Sequence, residues 1–87
     1  MFYVYIIKSK KDGKCYIGST NDLKQRMVEH NNGKVFSIKS RRPFVLVYYE
    51  SYLSEKDARL REQKLKKYGQ GVTNLYKRLT NSLKSAG

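Results

Sequence analysis

The chain predicts an α+β fold with the element order ββαβαα, in which three strands form one sheet. Three runs rich in aromatic and β-branched residues, at residues 2–8, 14–18 and 44–50, are typical of strands. Apolar residues at helical spacing follow the second and third of these runs. Because 87 residues leave room for one modest core, we predict a single domain over residues 1–87, with a tail that frays after about residue 83.

The first two strands are predicted to pair as an antiparallel hairpin. Residues 10–13 supply a turn that ends in Gly13, which can adopt a positive φ. Side chains on paired strands lie close together when they share a face. We therefore expect the phenols of Tyr5 and Tyr16 to face one solvent pocket.

The first helix is predicted at residues 22–30. Residues 19–21 offer three N-cap candidates, and the Asn-Asn-Gly run at residues 31–33 ends the helix. On the helical wheel, Arg26 and His30 fall at the edge of the apolar stripe, one turn apart. Both side chains can therefore reach one site.

The second half of the chain is predicted as a loop, a strand and two helices. The predicted segments are a basic loop at residues 34–42, the strand at 44–50, a helix at 55–68, a break at 69–71 and a final helix from 73 through 83. Pro43 suits the beginning of an edge strand because it lacks a backbone N–H. The apolar arc of the longer helix is formed by Ala58, Leu60, Leu65 and Tyr68, and Thr73 is the expected cap of the last helix.

The positive charge is large for so small a chain. Nineteen Lys and Arg against seven Asp and Glu give a formal net charge of +12. Such a field attracts polyanions, which makes nucleic acid the expected partner. The sequence shows no long basic amphipathic helix with bulky apolar anchors, so we do not expect membrane binding.

Cysteine content and the N-terminal segment indicate the expected compartment. Cys15 is the single cysteine, so the chain forms no internal disulfide and no cysteine metal cluster. The first residues lack the positive region and cleavage site of a signal peptide, and no apolar run is long enough to cross a membrane. We expect a cytoplasmic protein.

Five side chains match the requirements of phosphodiester hydrolysis, which are a proton acceptor, positive charge on the phosphate and help for the leaving oxygen. Arg26 offers a planar fork that matches two phosphate oxygens. His30, the one histidine of the sequence, can move a proton near neutral pH. Glu62, at the margin of an apolar arc, can be the single protein ligand of Mg²⁺ or Mn²⁺. Tyr5 and Tyr16 supply two phenols.

Each of these residues also has a structural interpretation. Arg26 can pair with Asp22 or Glu29 on the surface of the helix. His30 can cap the helix or lie in solvent, and Glu62 can pair with the basic residues around it. The two tyrosines can be packing residues of the sheet.

The residues and their spacing resemble a GIY-YIG endonuclease domain over residues 2–68. Tyr3-Val4-Tyr5 and Tyr16-Ile17-Gly18 correspond to the two triplets of that family, and Arg26, His30 and Glu62 to its helix arginine, its histidine or tyrosine and its metal-binding glutamate. The resemblance implies a three-stranded antiparallel sheet flanked by helices and a metal-dependent endonuclease. It also implies Tyr5 as base or base relay, with Tyr16 and His30 in support.

The resemblance is strongest to small stand-alone members, which are related to the excision-repair and junction-resolving nuclease module. It implies DNA as substrate, in structured or damaged form, in repair or recombination. Tyr3 departs from the family pattern because it replaces the first glycine. Since we identify no targeting module, we expect substrate choice to come from the basic loop, a homo-oligomer or a partner protein. The expected nucleic-acid contacts are Lys14, Lys39, Arg41, Arg42, Lys64, Lys67 and Asn74.

Two other functions use the same positive charge. One is a non-catalytic nucleic-acid-binding module on the same scaffold, and the other is a module that recruits acidic proteins. The sequence by itself does not distinguish DNA from RNA. Measuring nucleic-acid binding and cleavage in variants of Arg26 and Glu62 distinguishes these functions.

Overall fold

A three-stranded antiparallel sheet forms the centre of the chain, as predicted. The computed structural model describes residues 1–67 and 69–86. Its elements are β1 (Phe2–Ser9), β2 (Cys15–Thr20), α1 (Leu23–Asn31), a 3₁₀ helix (Phe36–Arg41), β3 (Phe44–Tyr52), α2 (Glu55–Lys67), α3 (Gly69–Arg78) and α4 (Thr80–Ser85). The strand order is β2-β1-β3, so β1 is central and both other strands are edges. The predicted α+β fold class is confirmed.

The strand register distributes the side chains of β1 between two cores. Tyr5 pairs with Gly18, and Ile7 pairs with Tyr16. Because side chains alternate along a strand, Tyr5, Ile7 and Tyr16 share one face of the sheet. Val4 and Ile6 face the opposite side of the sheet.

Helices cover both faces of the sheet. One core contains Val4, Ile6, Ile17, Ala58, Leu65 and Leu75, and lies beneath α2 and α3. The other contains Tyr5, Ile7, Ile38 and Phe44, packed against Leu23 and Met27 of α1. Therefore α1 and α2 lie on opposite faces, and only residues near the edge of the sheet can bring them to one site.

The first helix begins one residue later than predicted. Asp22 is its N-cap, and the Asp22 carboxylate accepts a hydrogen bond of 3.0 Å from the Gln25 N–H. Thr20 Oγ1 in turn accepts from the Asp22 N–H at 3.1 Å. The cap is therefore Asp22 rather than one of residues 19–21. The helix ends at Asn31, one residue beyond the predicted end, and Gly33 follows with a φ of +75°.

Residues 34–42 are not a loop throughout, since six of them form the 3₁₀ helix. Ile38 anchors this helix by inserting its side chain into the core beneath α1. That burial explains why a polar stretch without clear periodicity still adopts regular structure. Strand β3 begins directly after Pro43 and lies at the edge of the sheet, as predicted.

The long helix α2 agrees with the prediction apart from one apolar position. It covers Glu55–Lys67, and the predicted last residue, Tyr68, lies outside the described residues. Ala58 and Leu65 are buried, but Leu60 is 46% exposed and was wrongly placed on the apolar arc. No helix within the described ranges is long and apolar enough to cross a membrane.

The predicted break at residues 69–71 is wrong, because these residues begin α3. Each glycine costs about 1 kcal/mol relative to alanine inside a helix. Burial of Leu75, together with packing of Val72 and Tyr76 on the core beneath α2, opposes this cost. Thr73 consequently lies inside α3 and does not cap it, and the single final helix predicted through residue 83 is instead divided into α3 and α4. Fraying after about residue 83 stays a prediction.

Candidate active site

A hydrogen bond between Tyr5 and His30 lies at the centre of the candidate site. The Tyr5 hydroxyl is 2.7 Å from His30 Nε2. Tyr5 is 1% exposed and His30 is 0% exposed. The rings of Tyr16 and Phe44 contact His30 edge to face, with centroids 5.6 and 6.0 Å from its own. His30 is therefore a core residue of α1 and neither lies at the edge of the apolar stripe nor reaches solvent.

Burial keeps the Tyr5 and His30 pair uncharged. Burial, followed by the positive charge of Arg26, lowers the pKa of His30. Burial also raises the pKa of Tyr5, and the interaction with Arg26 only partly opposes that rise. His30 Nδ1 has no hydrogen-bond partner among the described residues, so a second N–H on the ring would be costly there. The neutral imidazole of His30 therefore holds the neutral phenol of Tyr5 in place through their hydrogen bond.

Arg26 connects this pair to a surface cavity. Its guanidinium interacts with the Tyr5 hydroxyl and pairs with Glu29 at 3.1 Å. The same side chain lines a cavity of about 330 Å³, with Tyr3 and Ser19 among the other lining residues. The pairing with Glu29 foreseen as an alternative is present, but such a pair contributes only about 0.2–0.5 kcal/mol. With five N–H donors on a guanidinium, Arg26 can still bind an anion in the cavity.

Glu62 reaches the edge of β2 from the opposite face of the sheet. Glu62 Oε1 accepts a hydrogen bond of 2.8 Å from Ser19 Oγ, and Oε2 lies 2.9 Å from Lys66 Nζ. Lys66 Nζ is also 5.5 Å from the centroid of the Tyr16 ring. The negative charge of Glu62 contributes to the raised pKa of Tyr5. The Glu62 carboxylate therefore lies at the β2 edge, bonded to a serine that also lines the cavity of Arg26.

The two phenols differ in their access to solvent. Tyr16 is half-buried on an edge strand, whereas Tyr5 is enclosed on the central strand. They share His30 as a ring neighbour. The predicted solvent pocket common to both phenols is therefore not formed, and Tyr16 is the phenol that can meet solvent.

An ion pair joins α2 to β3 one residue before Glu62. Arg61, the neighbour of Glu62, donates to both carboxylate oxygens of Glu50, with its shorter hydrogen bonds at 3.0 Å. Tyr48 and Tyr52 also donate to Glu50. Burial alone would raise the pKa of Glu50, but these hydrogen bonds outweigh it and the pKa is lowered. Sequence reasoning missed this cluster because Arg61 lies on α2 and its partners lie on β3.

The residues around Glu62 are compatible with one hard metal ion. In the part of the chain that the structure describes, no three His, Cys, Asp or Glu residues form a metal-binding group. Mg²⁺ needs only one or two carboxylates, because waters and substrate phosphates complete its shell. Glu62 offers such a carboxylate, oriented by the Ser19 hydroxyl. Lys66 shares that carboxylate, so a bound cation would displace its ammonium group.

Gly18 is a site residue that the sequence prediction did not include. A Cβ built on Gly18 would overlap the Tyr5 hydroxyl and lie 2.5 Å from Tyr5 Cζ. Because Gly18 has no Cβ, it leaves room for the Tyr5 phenol that is hydrogen-bonded to His30. The available signal was a glycine inside a strand, which often marks a close approach.

Replacing Gly18 with alanine is expected to destabilise the fold by about 1–3 kcal/mol, the usual cost of overpacking. Tyr5 is buried in the core beneath α1, so its ring cannot move toward solvent. Urea denaturation measures the change, and a Tyr5→Leu background should remove most of it. Gly71→Ala is the matched control, because no atom lies within 4 Å of its added Cβ. Equal destabilisation by both alanines would contradict the proposed overlap.

Most of the predicted nucleic-acid contacts lie on the surface. The exposed members are Lys14, Lys39, Arg42, Lys64, Lys67 and Asn74. Arg41 was predicted with them, but it donates to the Asp12 carboxylate at 2.7 Å and to the Lys14 carbonyl at 3.1 Å. That hydrogen bond lowers the pKa of Asp12 to about 2. Arg41 therefore fastens the 3₁₀ helix to the hairpin turn.

The basic residues at the hairpin turn are distant from the cavity of Arg26. Lys14 adjoins the end of β1, at Ser9, whereas Tyr3 lines the cavity at the beginning of that strand. A strand of this length spans roughly 20 Å or more, at about 3.3 Å per residue. Lys14, Lys39 and Arg42 can therefore bind only phosphates that flank the site.

Comparison with known proteins points to one family. The family model described as the GIY-YIG catalytic domain matches residues 1–77. A UPF0213 protein of Staphylococcus epidermidis is 43% identical over 76% of this chain and 80% of its own length. The UPF0213 protein YazA of Bacillus subtilis is 37% identical over 85% of this chain and 75% of its own length. A UPF0213 protein of Bacillus pumilus is 36% identical over 85% of this chain and 76% of its own length. No solved structure matches significantly.

Proposed function

Since this chain belongs to the GIY-YIG catalytic-domain family, which is a nuclease family, we propose that it is a metal-dependent endonuclease of DNA. The observation that supports this most is that Arg26 and Ser19 line one cavity, while Ser19 is hydrogen-bonded to Glu62 and Arg26 interacts with the Tyr5 hydroxyl. Tyr16 adjoins this group through its contact with the His30 ring. Structured or damaged DNA in repair or recombination is the proposed substrate, and a partner protein or second copy could select it.

Arg26 is proposed to bind the scissile phosphate. Its guanidinium lines the cavity of about 330 Å³ and stays charged at any relevant pH. Two parallel N–H donors match two non-bridging phosphate oxygens. The interaction with the buried Tyr5 hydroxyl limits the directions in which the guanidinium can point. Arg26 would thereby stabilise the charge that develops on the pentacovalent phosphorus.

Tyr16 is proposed to take the proton of the attacking water. A general base must lie within hydrogen-bond reach of that water, and exposure favours Tyr16 over the enclosed Tyr5. The Tyr16 hydroxyl oxygen accepts the proton of the water and passes its own proton to solvent, while the water oxygen bonds to phosphorus and the bond to the leaving sugar oxygen breaks. The leaving oxygen then takes a proton from solvent. Tyr5 and His30 act as positioning residues, because the fixed His30 ring packs against Tyr16.

A Mg²⁺ or Mn²⁺ ion is proposed to bind Glu62. The ion would stabilise charge on the phosphate and the leaving oxygen. Ser19 would orient the carboxylate through the hydrogen bond that it already donates. Such outer partners of a ligand typically affect metal affinity by about 10–100-fold.

One contact favours a second candidate function. Lys66 pairs with the Glu62 carboxylate, and a carboxylate paired with a lysine in place of a metal ion suits a non-catalytic nucleic-acid-binding module. In that case Glu62 variants would retain DNA binding, and binding would fall steeply with salt, because a +12 chain displaces counterions from the phosphates. Cleavage assays distinguish this module from the nuclease.

The purified chain is expected to cut labelled branched, duplex or single-stranded DNA in Mg²⁺ or Mn²⁺ and to stop when EDTA is added. Glu62→Gln should lower the rate by about 10²-fold, because a bound metal ion supplies several kcal/mol of charge stabilisation. Asp57→Asn, which changes an exposed carboxylate of the same helix, should cut like the wild type. Equal cutting by wild type and Glu62→Gln, or binding without any cutting, would contradict the nuclease proposal.

A further inference from the structure

A second cavity lies on the other side of α1 from Arg26. It has a volume of about 660 Å³ and separates α1 from β3. Its walls are mainly apolar and aromatic, formed by Tyr3, Leu23, Met27, Val28, Leu46 and Tyr49. Tyr3 and Asn21 also line the cavity that contains Arg26. The two cavities are therefore neighbours around the N-terminal end of α1, and we call the larger one the α1–β3 groove.

Two tyrosines give the groove an aromatic surface. The rings of Tyr3 and Tyr49 meet edge to face, with centroids 5.9 Å apart and planes at 68°. Tyr49 is 53% exposed although it lies on a strand. Its register partner is Tyr5, so its ring is on the same face of the sheet as the candidate active site. An exposed aromatic ring of this kind is a surface on which nucleobases stack.

The charge of the groove favours a base over a phosphate. Among the lining residues that the structure describes, Lys24 is the cation and Asp22 the anion, so their charges offset each other. The apolar walls would not compensate a phosphate for the water that it loses. A neutral planar heterocycle loses little on entering such a site, and the Asn21 side chain can hydrogen-bond its polar edge. The volume is within the range of about 300–1,000 Å³ that is typical of small-molecule sites.

We propose that the α1–β3 groove binds the nucleobase of a nucleotide next to the phosphate held by Arg26. This inference rests on the proposed function, since it assumes that a nucleic-acid strand occupies the Arg26 cavity. Tyr49 supplies the stacking surface and Tyr3 separates the base from the phosphate. A base inside a stacked duplex cannot enter, so the nucleotide must be unpaired or flipped out of the helix.

Binding of a fluorescent single-stranded oligonucleotide, measured by anisotropy in EDTA, tests this proposal without cleavage. Tyr49→Ala should weaken binding by about tenfold, and Tyr49→Phe, which keeps the ring, should stay within about twofold of the wild type. An oligonucleotide of the same length in which every base is removed should bind wild type and Tyr49→Ala equally. Leu53→Ala, at an 86% exposed apolar residue just after β3, is the matched control.

Two outcomes would overturn the base-binding groove. One is a Tyr49→Ala effect that is the same for intact and base-free oligonucleotides. The other is a wild-type dimer that Tyr49→Ala converts to a monomer without any base-dependent change, which would assign the groove to a second copy of the chain. If the Tyr49→Ala effect depends on the bases but the protein never cuts DNA in Mg²⁺, the base-binding groove is supported and the nuclease proposal is contradicted.

Discussion

Tyr16→Phe is expected to lower DNA cleavage by about 10²–10⁴-fold, the usual contribution of a general base. Of the two phenols, Tyr16 is the one that is partly exposed, on an edge strand. The ring itself, which contacts His30, is retained. We therefore expect the free energy of unfolding and the affinity for DNA to change little, so that the loss is in kcat.

Tyr5→Phe is the matched variant, because it also removes one phenol oxygen. Its expected effect is mainly on stability, since it leaves His30 Nε2 buried without its partner at 2.7 Å. An unpaired buried polar group costs about 1–3 kcal/mol. Urea denaturation and cleavage rates measured on both variants separate the two roles. Full cleavage by Tyr16→Phe, with cleavage abolished in a stably folded Tyr5→Phe, would transfer the base role to Tyr5.

Arg26→Ala is expected to lower the cleavage rate by about 10²–10³-fold, as loss of one donor to a developing oxyanion does. The guanidinium is the charged donor that joins the 330 Å³ cavity to Tyr5. Arg26→Lys should recover only part of the rate, because an ammonium group lacks the planar fork. Single-turnover cleavage at saturating protein measures this effect without a contribution from weaker binding.

A control for net charge is needed, because Arg26→Ala also lowers the formal charge of +12 by one. Lys77→Ala makes the same change at an exposed position of α3. Its cleavage rate should stay close to that of the wild type at every salt concentration. Similar losses in Lys77→Ala and Arg26→Ala would show that only the overall field matters and would contradict a phosphate clamp at Arg26.

Local patterns were sufficient for most of the secondary structure. The hairpin, α1, β3 and α2 were predicted because the period of their apolar residues, their turns and their helix ends lie within a few neighbouring residues. Patterns failed where tertiary packing opposes local preference. Burial of Leu75 stabilises a helix that begins in residues 69–71, and Ile38 stabilises a 3₁₀ helix in a basic segment.

The candidate site was predicted in composition but not in arrangement. The triplets and the spacing of Arg26, His30 and Glu62 identified the chemistry, and the family match supports that resemblance. Gly18 belongs to the second triplet, but its contact with Tyr5 depends on the strand register. The spacing of residues along the chain determines neither the strand register nor the exposure of the side chains.

The sequence by itself determined the positive charge, the order of the three strands with α1 and α2, and the residue types available for cutting a phosphodiester. The tertiary structure alone decided that Tyr5 is enclosed and Tyr16 accessible, and that α1 and α2 bring opposite charges to the β2 edge from two faces of the sheet. The physical reason is distance along the chain. Tyr5 and His30 are 25 residues apart, and Ser19 and Glu62 are 43 apart, so these contacts exist only once the sheet has paired and both helices have packed on it.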